Sequence, residues 1–313
     1  MLVMYLPLAI PALVSAAARP LAAWLHPRPA TWLLTSAAVV LAACSMAGLA
    51  LLAASVAARA PLLAGIGNYS PQVMRRGDPV PAVVGVAAAL ALAVAAAAAA
   101  ATFRSRARAL AQACRRATRL CPEDGVVVVP GPQIEAYALP GLPGRVIVSQ
   151  RLLDCLDDRR RAALIAHEQA HLAGRHYLFT SVTRLAAAAN PLLIPVARTV
   201  DYTVERWADE HAAAVTSDRK LVARTIGQVA MLAPRRRRAA GLTLGMTAPR
   251  VARRSLAWAG PVPRRVAALL TSPPRRHTIL LAACTAIVFA AAAATLLAAR
   301  DLHAVIELAQ AAK

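Results

Sequence analysis

Four stretches of this 313-residue chain contain no aspartate, glutamate, lysine or arginine: Met1 to Ala18, Pro29 to Ala58, Pro79 to Thr102 and Thr278 to Ala299. Each reaches, or nearly reaches, the roughly 20 apolar residues that a helix needs to cross a hydrocarbon core. With 58% hydrophobic residues and only 4% aromatics, the chain is too apolar for an ordinary soluble domain. The expected fold class is therefore mainly α, a multi-span membrane protein, with spans at about 1–18, 30–58, 80–102 and 278–299. The first lacks the basic leader of a signal peptide and carries Pro7 and Pro11, so it reads as a retained span. The third gains little from each of its many alanines, but small side chains suit close helix packing.

Basic residues set the expected topology. Arg19 and Arg28 lie between spans one and two, Arg104, Arg106, Arg108, Arg115, Arg116 and Arg119 follow span three, and Arg275 and Arg276 precede span four. The positive-inside rule puts these sides in the cytoplasm. The loop from Arg59 to Asp78 and the tail at 300–313 then face outward, with Arg75 and Arg76 against the trend. This divides the chain into three spans (1–103), a cytoplasmic domain (104–277), a fourth span (278–299) and the tail.

The net charge is +21, and no acidic residue occurs from Arg219 to Arg300. A basic cytoplasmic segment beside a span is drawn to anionic lipid at about 1 kcal/mol per charge. Residues 219–276, including "RRRR" at 235–238, accordingly read as a membrane-surface segment or solvated linker. No interleaved aromatics support base stacking, so no nucleic-acid partner is expected. The cysteines at 44, 114, 121, 155 and 284 have no CxxC spacing and suggest neither a disulfide framework nor a zinc ribbon.

Nearly all the acidic residues fall between Phe103 and His277. "GVVVVPGP" (Gly125 to Pro132) is a β-branched run bounded by turn formers, and "EAYALPGLPGRVIVSQ" (Glu135 to Gln150) reads as strand, turn, strand. A small sheet is expected, followed by a helix from about Ser149 and a second one capped by Asp157 or Asp158, running through Ala173 to a stop at Gly174.

That second helix carries His167-Glu168-Gln169-Ala170-His171. Residues four apart share a helix face, about 6 Å apart along the axis. Two imidazoles so placed can bind one Zn²⁺, with Glu168 beside them as a base for the water that the metal activates. A bare HExxH is weak evidence, because zinc catalysis needs a third ligand. "ERWADEHAA" (Glu205 to Ala213) offers Glu205 and Asp209, again four apart. One can reach the metal while the other orients a histidine or acts near the reacting group. The competing reading of these acids is a solvated helix face with Arg206 nearby.

The other histidines are weaker candidates. His176 follows Gly174 and is expected in a loop or a polar contact, and His211 lies about 240° round the helix from Glu205, off the ligand face. His26 belongs to a short basic loop, and His277 and His303 flank the last span. "LAAAANPLLIPVA" (Leu185 to Ala197) is too short to span. It is expected as part of a helical pair packed on the catalytic helix or dipping into the membrane face.

The set "AYALPG…RVIVSQRLL", "LIAHEQAH", "NPLL" and "ERWADEHA" resembles the membrane-embedded gluzincin metallopeptidases, above all the BlaR/MecR-type antirepressor group, with HtpX and the CAAX-prenyl proteases as relatives. The resemblance covers about Gly125 to Ala214. It implies an α+β zincin-like domain facing the cytoplasm, with His167, His171 and Glu205 as Zn²⁺ ligands, Glu168 as general base and Asp209 as the acid near the site. It also implies that the strand around Arg145 to Ser149 is an edge strand that accepts an extended peptide. Two departures stand out. Ala208 occupies a position that is commonly Cys in the BlaR/MecR group and Ala in the HtpX-like group, and the sequence ends at Lys313 without a penicillin-binding sensor domain, so a β-lactam receptor is not expected.

The expected function is zinc-dependent endoproteolysis at the cell membrane, acting on a protein or peptide such as a cytoplasmic repressor. The alternatives are HtpX-like quality control of membrane proteins, or a non-enzymatic receptor or scaffold built on the arginine-rich segment.

Overall fold

The computed structural model describes residues 2–59, 81–120, 125–232, 261–271 and 278–311. The expected outer loop beyond Arg59, with Arg75 and Arg76, and Arg235–Arg238, Cys121, Arg275, Arg276 and His277 lie outside the described residues.

Three long helices open the chain: α1 (Leu2–Trp24), α2 (Pro27–Ala57) and α3 (Ala82–Arg119). Prolines stand at the start of α2, where the missing N–H loses no helical bond. α2 and α3 are long and apolar enough to cross a membrane. α1 runs past the expected end at Ala18, and α3 continues from the apolar window through Arg104–Arg119. The physical reason is that charge ends an apolar window but not a helix: Ala, Arg, Leu and Gln all have high helix propensity. Gly85 lets α3 approach α2, since a Cβ there would lie 2.2 Å from Val56 Cγ2.

The sheet consists of β1 (Val126–Val129), β2 (Ala136–Leu139) and β3 (Arg145–Ser149), in the order β1-β3-β2. β3 pairs in parallel with β1 (Val126 with Val146) and antiparallel with β2 (Tyr137 with Ile147). The expectation that Arg145–Ser149 forms an edge strand is therefore corrected: it is the central strand. Its composition explains the position. Val146 and Val148 face one hydrophobic cluster, with Leu152, Leu156 and Leu164, while Ile147 faces another with Ala117 and Leu139. A strand buried on both faces belongs in the middle of a sheet.

Then follow α4 (Gln150–Asp154), α5 (Asp158–Ala173), α6 (His176–Ala189), a 3-10 turn (Pro191–Leu193), α7 (Ile194–Thr216), α8 (Arg219–Leu232), α9 (Pro261–Leu270) and α10 (Thr278–Ala311). Ser149 caps α4 through Leu152 N, and Asp157 caps α5 through Arg160 N at 2.9 Å, as the sequence suggests. The "NPLL" stretch is a 3-10 turn with polar anchors. Asn190 Oδ1 accepts from Leu192 N at 3.0 Å, and its Nδ2 donates to Ser45 Oγ of α2 at 2.8 Å.

One core cluster joins Ala18 and Ala22 of α1, Leu34 and Leu41 of α2, Phe179 of α6 and Val196, Val200 and Val204 of α7. Between helices that lie in a bilayer, such a cluster stabilises through close van der Waals packing and not through removal of apolar surface from water. Arg206 adds a polar tie, donating from Nη1 to Ala22 O at 3.0 Å. The N-terminal helices thus fix the helix that carries the second acidic motif.

Candidate metal centre

Helices α5 and α7 pack directly against each other and bring the two motifs together. One ligand atom each from His167, His171 and Glu205 lies within 4.8 Å of the others. His167 Nε2 is 3.2 Å from His171 Nε2 and 3.7 Å from Glu205 Oε2, and His171 Nε2 is 3.7 Å from Glu205 Oε1. Donors bound about 2.0–2.2 Å from a tetrahedral zinc stand roughly 3.3 Å apart, so both the donor types and their spacing fit that ion.

The second nitrogens of both histidines are engaged. His167 Nδ1 lies 3.0 Å from Asp209 Oδ1, off the line of a hydrogen bond, and the Asp209 residue is 1% exposed. A carboxylate behind a ligating imidazole orients the ring and raises its basicity. His171 Nδ1 lies 2.9 Å from His176 Nδ1. The solvated-face reading fails for Asp209, which is buried along with Arg206, while Glu205 is half-buried.

His176 is not a loop residue but the first residue of α6, and it is 2% exposed. Its position depends on the residue at the end of α5. Gly174 ends that helix, and a Cβ on it would lie 2.3 Å from His176 Nε2. The His176 ring cannot easily retreat, because it packs on Trp207 with centroids 4.6 Å apart and contacts His171 on another side. Trp207 in turn lies under Arg28 of α2 and beside Phe179. Gly174→Ala is expected to destabilise the fold by about 1–3 kcal/mol, the range for overpacking a filled site. Thermal unfolding of the purified variant checks this; an unchanged Tm would show that the ring yields freely.

Glu168 is half-buried on α5. Among the described residues it makes no hydrogen bond or ion pair, yet its charge acts on both His171 and Arg265. A carboxylate left uncommitted beside the centre can exchange protons. His211 is exposed on α7 and lies outside the His167-His171-Glu205 group. His303 pairs with Glu307 on α10.

Arg265 was not among the residues expected at the site. The basic segment reads as lipid-facing or solvated, but Arg265 of α9, its side chain only 11% exposed, is a partner of Glu205, with Nη1 2.7 Å from Oε2, and of Asp209. Arg219 is likewise paired with Glu210. The signal lay in the imbalance: α7 carries Asp201, Glu205, Asp209 and Glu210, while residues 219–276 have arginines and no acid of their own.

These charges govern the protonation of the site. Burial pushes His167 down, but the close carboxylates of Asp209 and Glu205 outweigh it and raise it to about 10. Desolvation pushes Glu205 up, but Arg265 and the two histidines hold it well below the usual carboxylate range. Burial raises Asp209, and Arg265 again reverses the shift. Burial, with the neighbouring His171, takes His176 down to about 3. Excess negative charge around the imidazoles is what a cation site requires.

Residues 98–185 match the model of Peptidase family M48, under a third of the chain. The match takes in the end of α3, the sheet, α5 and most of α6, and stops before Glu205. No curated protein and no solved structure matches the chain. Together with the His167-His171-Glu205 group, the match supports a metallopeptidase, a metal-dependent hydrolase whose substrates are proteins or peptides.

Proposed function

We propose that the chain is a membrane-anchored zinc endopeptidase in which His167, His171 and Glu205 hold the metal, Glu168 is the general base and Asp209 orients His167. The single observation that carries this reading is the convergence of two imidazoles and a carboxylate within 4.8 Å, from two helices joined by no local sequence. When bound, zinc supplies a Lewis acid that polarises a peptide carbonyl and acidifies water. Glu168 accepts the proton from the attacking water and returns it to the leaving amine. Glu205 keeps its charge because Arg265 neutralises one side of it.

Membrane anchoring is supported by α2 and α3, and by Val83, Val86, Leu90 and Val94, exposed at helical spacing along α3. The arginines that follow this apolar stretch favour a cytoplasmic catalytic side. Cleavage of a cytoplasmic repressor, as in the BlaR/MecR-type group, is the role we favour. Ala208, fully buried beside Asp209, favours the second reading, HtpX-like quality control of membrane proteins.

The purified full chain in detergent is expected to carry zinc and to cleave an unfolded protein such as casein. A chelator should abolish cleavage, and added Zn²⁺ should restore it. Cleavage that persists after complete removal of the metal would overturn the proposal.

A further inference from the structure

Helix α9 is fastened beside α7 at three points, one of them through Arg219 of α8. Arg264 lies over the Tyr202 ring at 4.2 Å. Arg219, itself paired with Glu210, donates to Ala268 O at 2.9 Å and to Leu269 O at 3.1 Å, satisfying carbonyls that the end of α9 leaves open. Between these anchors Arg265 reaches into the metal centre. Its Nε donates to Asp209 Oδ2 at 2.7 Å and its Nη2 to Asp209 Oδ1 at 2.5 Å, a two-pronged carboxylate contact, while Nη1 stands 2.7 Å from Glu205 Oε2.

We propose that Arg265 is a positioning residue of the metal centre: it grips Asp209 with a fork and takes one oxygen of Glu205, leaving Glu205 Oε1 for the metal. The inference rests on the reading of His167, His171 and Glu205 as metal ligands. Distances separate it from the rival idea that Arg265 occupies the metal's place. Nη2 is 3.5 Å from His167 Nε2, the limit of a hydrogen bond, against 2.5–2.7 Å to the carboxylates. The arginine is bonded to the acids and only borders the ligand nitrogen.

The geometry gives the contact two consequences. A carboxylate with one oxygen already neutralised binds a cation through the other, which favours a single-oxygen ligand and keeps room for water and substrate. Asp209, fixed from behind, holds the charge of Oδ1 3.0 Å from His167 Nδ1 and so supports that imidazole electrostatically. Lysine cannot serve both acids in this way, because its ammonium lacks the planar fork.

The test measures metal binding apart from turnover. The full-length parent, Arg265→Met and Arg265→Lys are stripped of metal, titrated with Zn²⁺ against a chromophoric chelator, and loaded with Co²⁺ to record the visible spectrum of the site. Circular dichroism monitors folding. Arg265→Met is expected to bind Zn²⁺ about 10- to 100-fold more weakly, as when a ligand loses its support, and to give an altered Co²⁺ spectrum. Arg265→Lys should recover only part of the affinity. Zinc binding by Arg265→Met that equals or exceeds the parent's would overturn the inference, the latter result making Arg265 a competitor of the metal. If Arg265→Met does not fold, Arg265→Lys decides: affinity and spectrum like the parent's overturn the fork. Failure of the parent itself to bind zinc would overturn the metallopeptidase reading instead.

Discussion

Glu168→Gln is expected to leave the protein folded and loaded with zinc while lowering the rate of peptide cleavage by roughly 10²- to 10⁴-fold, the usual contribution of a general base. Glutamine has the shape of glutamate but cannot take up a proton. Glu168 makes no hydrogen bond or ion pair among the described residues, so nothing structural is lost with its charge. Its influence on His171 and Arg265 is purely electrostatic, and the ligand atoms converge without it. Zinc analysis and casein cleavage on the same preparation separate binding from chemistry. A variant that keeps its zinc and cleaves as fast as the parent would remove Glu168 from the mechanism. A variant that loses its zinc would make Glu168 part of the binding site.

Much of this centre is legible in the sequence because its information is local. The i, i+4 spacing of His167 and His171, the caps at Asp157 and Gly174, and the spacing of Glu205 and Asp209 are each set within a few turns of helix. The β-branched runs at Val126–Val129 and Arg145–Ser149, with the strand-turn-strand pattern between Glu135 and Gln150, likewise announce three strands. What sequence periodicity does not carry is who pairs with whom. The resemblance implies an edge position for β3, but β1 and β2 pair on its two sides, and which strands pair is not recorded in any local pattern. Arg265 was misjudged because its partner Asp209 lies 56 residues away, and a run of arginines looks the same whether it meets lipid or a buried acid. His176 falls between: its proximity to the motif was visible, but its contact with His171 depends on the left-handed turn at Arg175 that starts α6.

Glu205 and Asp209 are expected to respond oppositely to substitution. Glu205→Ala should abolish stoichiometric zinc, because it removes one of three donors and leaves only two imidazoles. Asp209 touches the centre through His167 Nδ1 and Arg265, so its loss should keep much of the zinc and remove most of the activity, by about 10- to 100-fold. The choice of variant matters. Asp209→Ala strips Arg265 of its fork in a buried setting, and breaking one side of such a pair costs about 3–5 kcal/mol. Asp209→Asn keeps an acceptor for Arg265 and a polar atom facing His167 while removing the negative charge, so it isolates the electrostatic support of the imidazole from the integrity of the fold. Zinc stoichiometry of Glu205→Ala, Asp209→Asn and Asp209→Ala, with circular dichroism to confirm folding, decides the assignment. Zinc lost from folded Asp209→Asn but retained in Glu205→Ala would mean that the two acids hold each other's roles. Arg265 would then be gripping the ligand with its fork and the supporting acid with its single bond.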